Sequence, residues 1–226
     1  MPLLVLYELA AFALAGDAVS GVRNGADVLL KSLFLTFGGR EGLLLFNTLL
    51  LGGFVVFIWR DMRRSGGRLV PGIFGGMMAE SVAGGLVFGM VAGTITAILL
   101  GDVPYLAMQM SSLSLPAQLT ISLGAGIYEE LLFRVLLVGA LVLAARRLFG
   151  WKPLAAGVFA TVLGAFLFSA FHYVGPYGDP LETGSFVFRF VAGLLFSGMY
   201  LLRGLGITAW THALYDVFLT VMLAAR

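Results

Sequence analysis

Six stretches of this chain, roughly 42–59, 76–101, 117–145, 153–174, 185–202 and 205–224, are apolar and long enough to cross a bilayer. Two carboxylates, an arginine, two histidines and an aspartate are nevertheless concentrated in three of them, 117–145, 153–174 and 205–224. A spanning helix needs ~20 mostly apolar residues. Backbone polar groups in lipid must be satisfied within the structure, which leaves helices or a closed barrel. These runs are continuous, whereas barrel strands alternate over ~10 residues. The expected fold is therefore all-α: a polytopic transmembrane helical bundle of six to eight membrane helices. Residues 3–15 form a short further candidate. Residues 26–37 read as an amphipathic surface helix with Lys31 on its polar side, or as part of a further span.

Composition agrees with the spans. The chain is 60% hydrophobic and 12% charged, against ~25% charged for soluble domains. A net charge of +2 is too small to suggest nucleic acid as a partner. The absence of cysteine excludes disulfides, thiolate metal sites and a cysteine nucleophile. Met1 to Ala15 resembles a signal peptide only in its apolarity and its Ala13-Leu14-Ala15 end. It lacks a positive leading region and carries Glu8 at its centre, so an uncleaved, short or interfacial helix is expected.

Loop charges alternate. Arg60, Arg63, Arg64 and Arg68 form one cluster, and Arg146, Arg147 and Lys152 another. Asp102 stands in the loop between the second and third spans, and Asp179 and Glu182 stand between the fourth and fifth. The positive-inside rule puts the arginine clusters in the cytoplasm, with Trp59 and Trp151 at the interface. Only Arg226 opposes this arrangement. Gly85, Gly89 and Gly93 recur every four residues, the pattern of a close helix–helix seam. No internal repeat, broken-helix pair or phosphate loop is present.

The chemistry lies in three segments. Glu130 and Arg134 are four apart and share a helix face, so they can pair. Glu129 is rotated about 100° from Glu130 and is expected against an apolar wall of Ile127, Leu132 and Phe133. A carboxylate in such a wall suits a general base, with Glu130 as its electrostatic support. His172 follows Phe168 by four, so the ring can restrain the imidazole. His212 and Asp216 are also four apart, and the Asp is expected to set the tautomer. Ionisable groups in lipid are costly and usually functional. Glu129, His172, His212 and Asp216 fit either of two chemistries. They could activate water and stabilise an oxyanion in amide hydrolysis, or Glu129, His172 and His212 could bind zinc at an open site. Spacing does not decide between them, and no His-Glu-x-x-His motif is present.

Depth poses a further question. Glu129 lies about 18 Å below the outer end of its span, and His212 about 12 Å from the inner end of its own, at ~1.5 Å per residue. His172 lies near the outer end of its span. Tilt, or an early end to the span after Tyr173, has to bring the groups together.

Glu129-Glu130-x-x-x-Arg134, then Phe168-x-x-x-His172, then His212-x-x-x-Asp216 resemble, in this order, the three motifs of the CPBP family. This is the family of CaaX proteases and bacteriocin-processing enzymes, also called the ABI family. The resemblance covers about residues 117–220. It divides the chain into N-terminal membrane helices (1–116) and a catalytic helical core (117–226) within one integral membrane domain. It implies an intramembrane glutamic endopeptidase, with Glu129 and His172 activating water and His212 and Asp216 on the oxyanion side. Asp stands where prenyl-protein members carry Asn, and an ionised Asp cannot donate as Asn does. The resemblance implies no metal or other cofactor.

The arginine-, leucine- and glycine-rich composition suggests a bacterium, and bacteria do not generally prenylate proteins. The expected substrate is therefore a membrane-anchored protein or peptide, possibly a C-terminal sorting tail, and the expected location is the cell (inner) membrane. The competing reading is a non-enzymatic membrane protein: a bacteriocin immunity or scaffold protein, or a proton-coupled transporter using the Glu/His set.

Overall fold

The computed structural model describes residues 2–15, 22–64, 71–101, 113–175 and 178–225. Arg68, Asp102 and Arg226, on which part of the topology argument rests, lie outside the described residues. Every regular element among the described residues is a helix. Helix α1 spans Pro2–Ala15, α2 Gly25–Arg64 and α3 Pro71–Leu100. Helix α4 (Leu115–Gly124) continues through two π-helical stretches, Ala125–Glu129 and Leu131–Val138, into α5 (Gly139–Leu148). Helix α6 spans Pro153–Phe171 and α7 Thr183–Ala224.

Four helices are long and apolar enough to cross a membrane: α2, α3, α6 and α7. Between 11% and 33% of each apolar window is buried within the protein, so most of that surface faces outward. Leu44, Phe57, Ile73, Met90, Ile98 and Leu202 are among the exposed large side chains. An apolar surface on this scale suits lipid and marks a multi-pass membrane protein.

The expectation of six to eight spans is corrected to these four helices. The stretches 185–202 and 205–224 belong to one helical run, α7. The stretch 117–145 is divided by π-helical turns into shorter pieces. The predicted 26–37 helix and the 42–59 span are likewise merged in α2.

The merged helices are not straight. Gly204 sits at φ 78°, ψ 174°, inside α7. Phe196 and His212, each eight residues from Gly204, stack with ring centroids 4.3 Å apart. Along a straight helix they would be separated by about 24 Å at ~1.5 Å per residue. The chain therefore turns back on itself at Gly204, and α7 is two arms folded together. Gly39 (φ 55°, ψ −144°) does the same in α2, bringing Phe34 within 5.2 Å of Phe46. Both angle pairs lie where a side chain is strongly disfavoured, which is why glycine occupies each bend.

The arms of α7 fold around α3. Phe88 stacks on Phe196 from the first arm at 4.0 Å and meets Tyr215 from the second at 5.1 Å. The glycine seam serves this contact. A Cβ on Gly89 would lie 2.8 Å from the Tyr215 ring, and one on Gly85 3.1 Å from the Tyr215 backbone nitrogen. Against the other side of the second arm, Gly126 lets the π-helical backbone approach closely: a Cβ there would stand 2.4 Å from the Ala209 carbonyl oxygen. Lys31 departs from expectation. It faces inward, 2.8 Å from the fully buried Asp27 and 3.2 Å from Glu8, because those acids replace water as its partners.

Candidate active site

The three motif segments meet in one buried cluster. The π-helical stretch presents both glutamates inward, α6 ends at Phe171 and leaves His172 at its C-terminal cap, and the second arm of α7 supplies His212 and Asp216. The early end of α6 and the reversal at Gly204 resolve the depth mismatch, since neither histidine is fixed in a perpendicular rod. Pi turns are rare and often mark functional sites, because the wider turn re-aims side chains.

Each histidine is held by Nδ1. His172 Nδ1 lies 2.8 Å from the Phe168 carbonyl oxygen, and His212 Nδ1 lies 2.7 Å from Glu130 Oε1. A carbonyl or carboxylate oxygen can only accept, so in both rings Nδ1–H donates. Nε2 is left outside that bond. Both Nε2 atoms then face the same atom, Glu129 Oε2, at 3.9 Å from His172 and 4.0 Å from His212. Glu129 is buried, and its Oε2 has no hydrogen-bond partner among the described residues. Asp216 Oδ2 lies 3.6 Å from His212 Nε2, too far for a direct hydrogen bond.

Arg134 Nη1 lies 3.1 Å from Glu130 Oε1, as the four-residue spacing predicts. The guanidinium also sits 4.4 Å from the Phe168 ring centroid, a cation–π position. Phe168 packs edge-on against His172 at 5.0 Å. Phe168 thus braces both the arginine and the histidine.

Two expectations about roles change. Glu130, not Asp216, holds the His212 tautomer; Asp216 lies on the opposite, Nε2 side. Glu129 is not against an apolar wall. Its Oε1 accepts a 2.8 Å hydrogen bond from Asn24 Nδ2, and Phe133 turns away to pack on Phe168 and Phe171. The two glutamates approach His212 from opposite ring nitrogens, which the 100° separation of an ordinary α-helix did not anticipate.

Asn24 was missed because it lies 105 residues from Glu129. The one available signal was local: Asn directly before Gly-Ala-Asp-Val reads as a helix N-cap. A cap says nothing about a second, distant bond.

No group of three or more His, Cys, Asp or Glu side chains among the described residues is arranged to hold a metal ion. With metal–ligand bonds of ~2.0 Å, tetrahedral zinc ligands stand roughly 3.3 Å apart. Glu129 Oε2 and the two Nε2 atoms are wider than that.

Searches of curated proteins and of solved structures each find no match. A family model does match: residues 111–218 fit the one described as Rce1-like, type II CAAX prenyl endopeptidase Rce1-like. The matched stretch includes Glu129, Glu130, Arg134, Phe168, His172, His212 and Asp216, and stops short of Asn24 on its N-terminal side. The motif order, the convergence of these side chains and the family match agree: across residues 111–218 this chain carries an Rce1-like domain of the CAAX protease (CPBP) family.

Proposed function

We propose that the protein is an intramembrane endopeptidase that hydrolyses a peptide bond near the C-terminus or membrane segment of a membrane-associated protein. The observation that carries this reading is Glu129 Oε2, buried, without a hydrogen-bond partner among the described residues, and facing two imidazole Nε2 atoms. Three acceptors converge on one point. A water there finds acceptors for both its protons, which exposes its oxygen as a nucleophile.

In the proposed reaction the water oxygen attacks the scissile carbonyl carbon. Its proton passes to Glu129 Oε2, with His172 Nε2 orienting the water. The carbonyl oxygen becomes an oxyanion, which requires a hydrogen-bond donor. Asp216, beside His212 Nε2 and in its protonated form, supplies that donor. Glu130, clamped by Arg134, keeps His212 in its tautomer. Collapse of the tetrahedral intermediate breaks the C–N bond, and the proton on Glu129 goes to the leaving amine. The products are a shortened protein with a new carboxylate and a released C-terminal peptide.

The N-terminal helices (1–116) and the helical core (117–226) act in this reading as one integral membrane unit of the cell (inner) membrane. The favoured substrate is a membrane-anchored peptide or sorting tail.

The test is turnover of internally quenched peptides by the purified protein in lipid nanodiscs. One peptide carries an apolar anchor and a C-terminal sorting tail, and the other a prenylated CaaX end. Cleavage of either that survives phenanthroline and falls about 10²–10⁴-fold in Glu129→Gln supports the reading. Full activity in Glu129→Gln, or chelator inhibition reversed by Zn²⁺, overturns it.

A further inference from the structure

Asn24 stands outside the Rce1-like domain, in the turn before α2, yet it makes a direct side-chain bond to Glu129. Its surroundings fix what it can do. The Asn24 carbonyl oxygen accepts from Val28 N–H at 3.0 Å, and its Oδ1 accepts from Ala26 N–H at 2.8 Å. Asn24 is therefore the N-cap of α2, with its side-chain oxygen already engaged. That leaves Nδ2 as the only part of the amide that can face Glu129, 2.8 Å from Oε1. The reversed amide would set an N–H against the Ala26 N–H and an oxygen against a carboxylate oxygen. Neither contact is tolerable, so the cap dictates the orientation.

The position of Asn24 is also held from behind. Its backbone N–H donates to Tyr7 Oη at 3.1 Å. Tyr7 in turn donates to Asp27 Oδ2 at 2.7 Å, and Arg23 Nη1 donates to the same oxygen at 2.7 Å. Tyr7 and Asp27 are fully buried. The amide is thus mounted on an anchored turn rather than on a mobile side chain.

We infer that Asn24 is a positioning residue for the proposed reaction: its N-cap-locked amide pins Glu129 Oε1 and so turns Oε2 toward both histidines. This rests on the reading of Glu129 as the base. The pairing also accounts for the choice of residue. Aspartate caps a helix as well as asparagine does, but it has no N–H to give a carboxylate. The cap alone would accept either residue, whereas the bond to Glu129 requires Asn.

Asn24→Asp therefore separates the two roles, because it keeps the cap acceptor and removes the donor. The experiment measures kcat, KM and thermal unfolding of Asn24→Asp, Asn24→Ala and Glu129→Gln in nanodiscs with the cleavable quenched peptide. A misaimed catalytic group costs on the order of 10²-fold. The expected result is a kcat drop of about 10–10²-fold in Asn24→Asp, with KM close to wild type and the folded state retained, the unfolding temperature falling because a carboxylate oxygen now faces Glu129 Oε1. Wild-type kcat in Asn24→Asp overturns the inference and leaves only a cap. Loss of the folded state in both Asn24 variants also overturns it, since the role would then be structural. If Glu129→Gln itself turns over normally, the proposed function fails, and this inference with it.

Discussion

Two buried polar clusters lie side by side in this apolar bundle, and they differ in how completely their acids are paired. In the N-terminal cluster, Asp27 Oδ1 has Lys31 at 2.8 Å, and its Oδ2 has both Tyr7 and Arg23 at 2.7 Å. Glu8 Oε1 has Tyr128 at 2.7 Å and Lys31 at 3.2 Å, and its Oε2 has Arg23 at 3.0 Å. Two carboxylates meet two cations, and every carboxylate oxygen lies within 3.2 Å of a cation or hydroxyl, Asp27 Oδ1 through its ion pair with Lys31 alone. In the second cluster, Glu129, Glu130 and Asp216 surround one guanidinium and two imidazoles. There Glu129 Oε2 has only the two Nε2 atoms, at about 4 Å. Saturated pairing holds helices together. Unsaturated pairing leaves a group able to take a proton, and an unpartnered buried acceptor costs free energy that the rest of the fold must offset. Asn24 links the two clusters, with its backbone anchored in the first and its side chain on the second.

The contrast is sharpened by removing partners from each side. The largest effect on stability is expected at Arg134. Arg134→Ala leaves the fully buried Glu130 without its cation and with only His212 beside it, and breaking a buried pair costs about 3–5 kcal/mol. Thermal unfolding in detergent or nanodiscs should show a large drop together with loss of turnover. A fully stable variant would mean that Glu130 is not held by this clamp.

Gly204→Ala comes next. Nothing lies within 4 Å of a Cβ at Gly204, so the whole penalty is backbone strain at φ 78°, about 1–3 kcal/mol. A clear drop in unfolding temperature is expected, with kcat per folded molecule retained. An unchanged unfolding temperature would argue against the reversal at that residue. Arg203→Ala gives the smallest effect. Arg203 pairs with Glu80 through both guanidinium and carboxylate arms, but the pair is exposed. Such pairs contribute little, so no measurable change in unfolding is expected. A large drop there would show that surface charge matters more in this bundle than burial.

The sequence made the site legible further than the fold. Glu129, Glu130, Arg134, Phe168, His172, His212 and Asp216 could be selected because charge inside an apolar run is conspicuous, and four-residue spacing predicts a shared face. Glu130 with Arg134 and Phe168 with His172 follow that rule. His212 with Asp216 follows it only loosely, because Glu130 competes for the same ring from another helix. Such competition is tertiary and leaves no trace in spacing. The count of spans failed for a local reason. The π-helical turns around Glu129 have no compositional mark, whereas the bends at Gly39 and Gly204 fall where the sequence already separates 26–37 from 42–59 and 185–202 from 205–224. Lys31 was misread for the same reason, since its partners Asp27 and Glu8 become a buried cage only when α1 and α2 pack.

The central claim is that one cluster is built for holding and the other for chemistry. It is tested most directly by measuring unfolding temperature and kcat for Asp27→Asn and Glu129→Gln side by side in nanodiscs. Asp27→Asn should lower the unfolding temperature strongly, since Arg23 and Lys31 lose their fully buried partner, a loss of about 3 kcal/mol or more. Glu129→Gln should unfold at the wild-type temperature or above it and lose about 10²–10⁴-fold in kcat. The opposite pattern, with Glu129→Gln destabilised as much as Asp27→Asn and still turning over normally, would contradict the account.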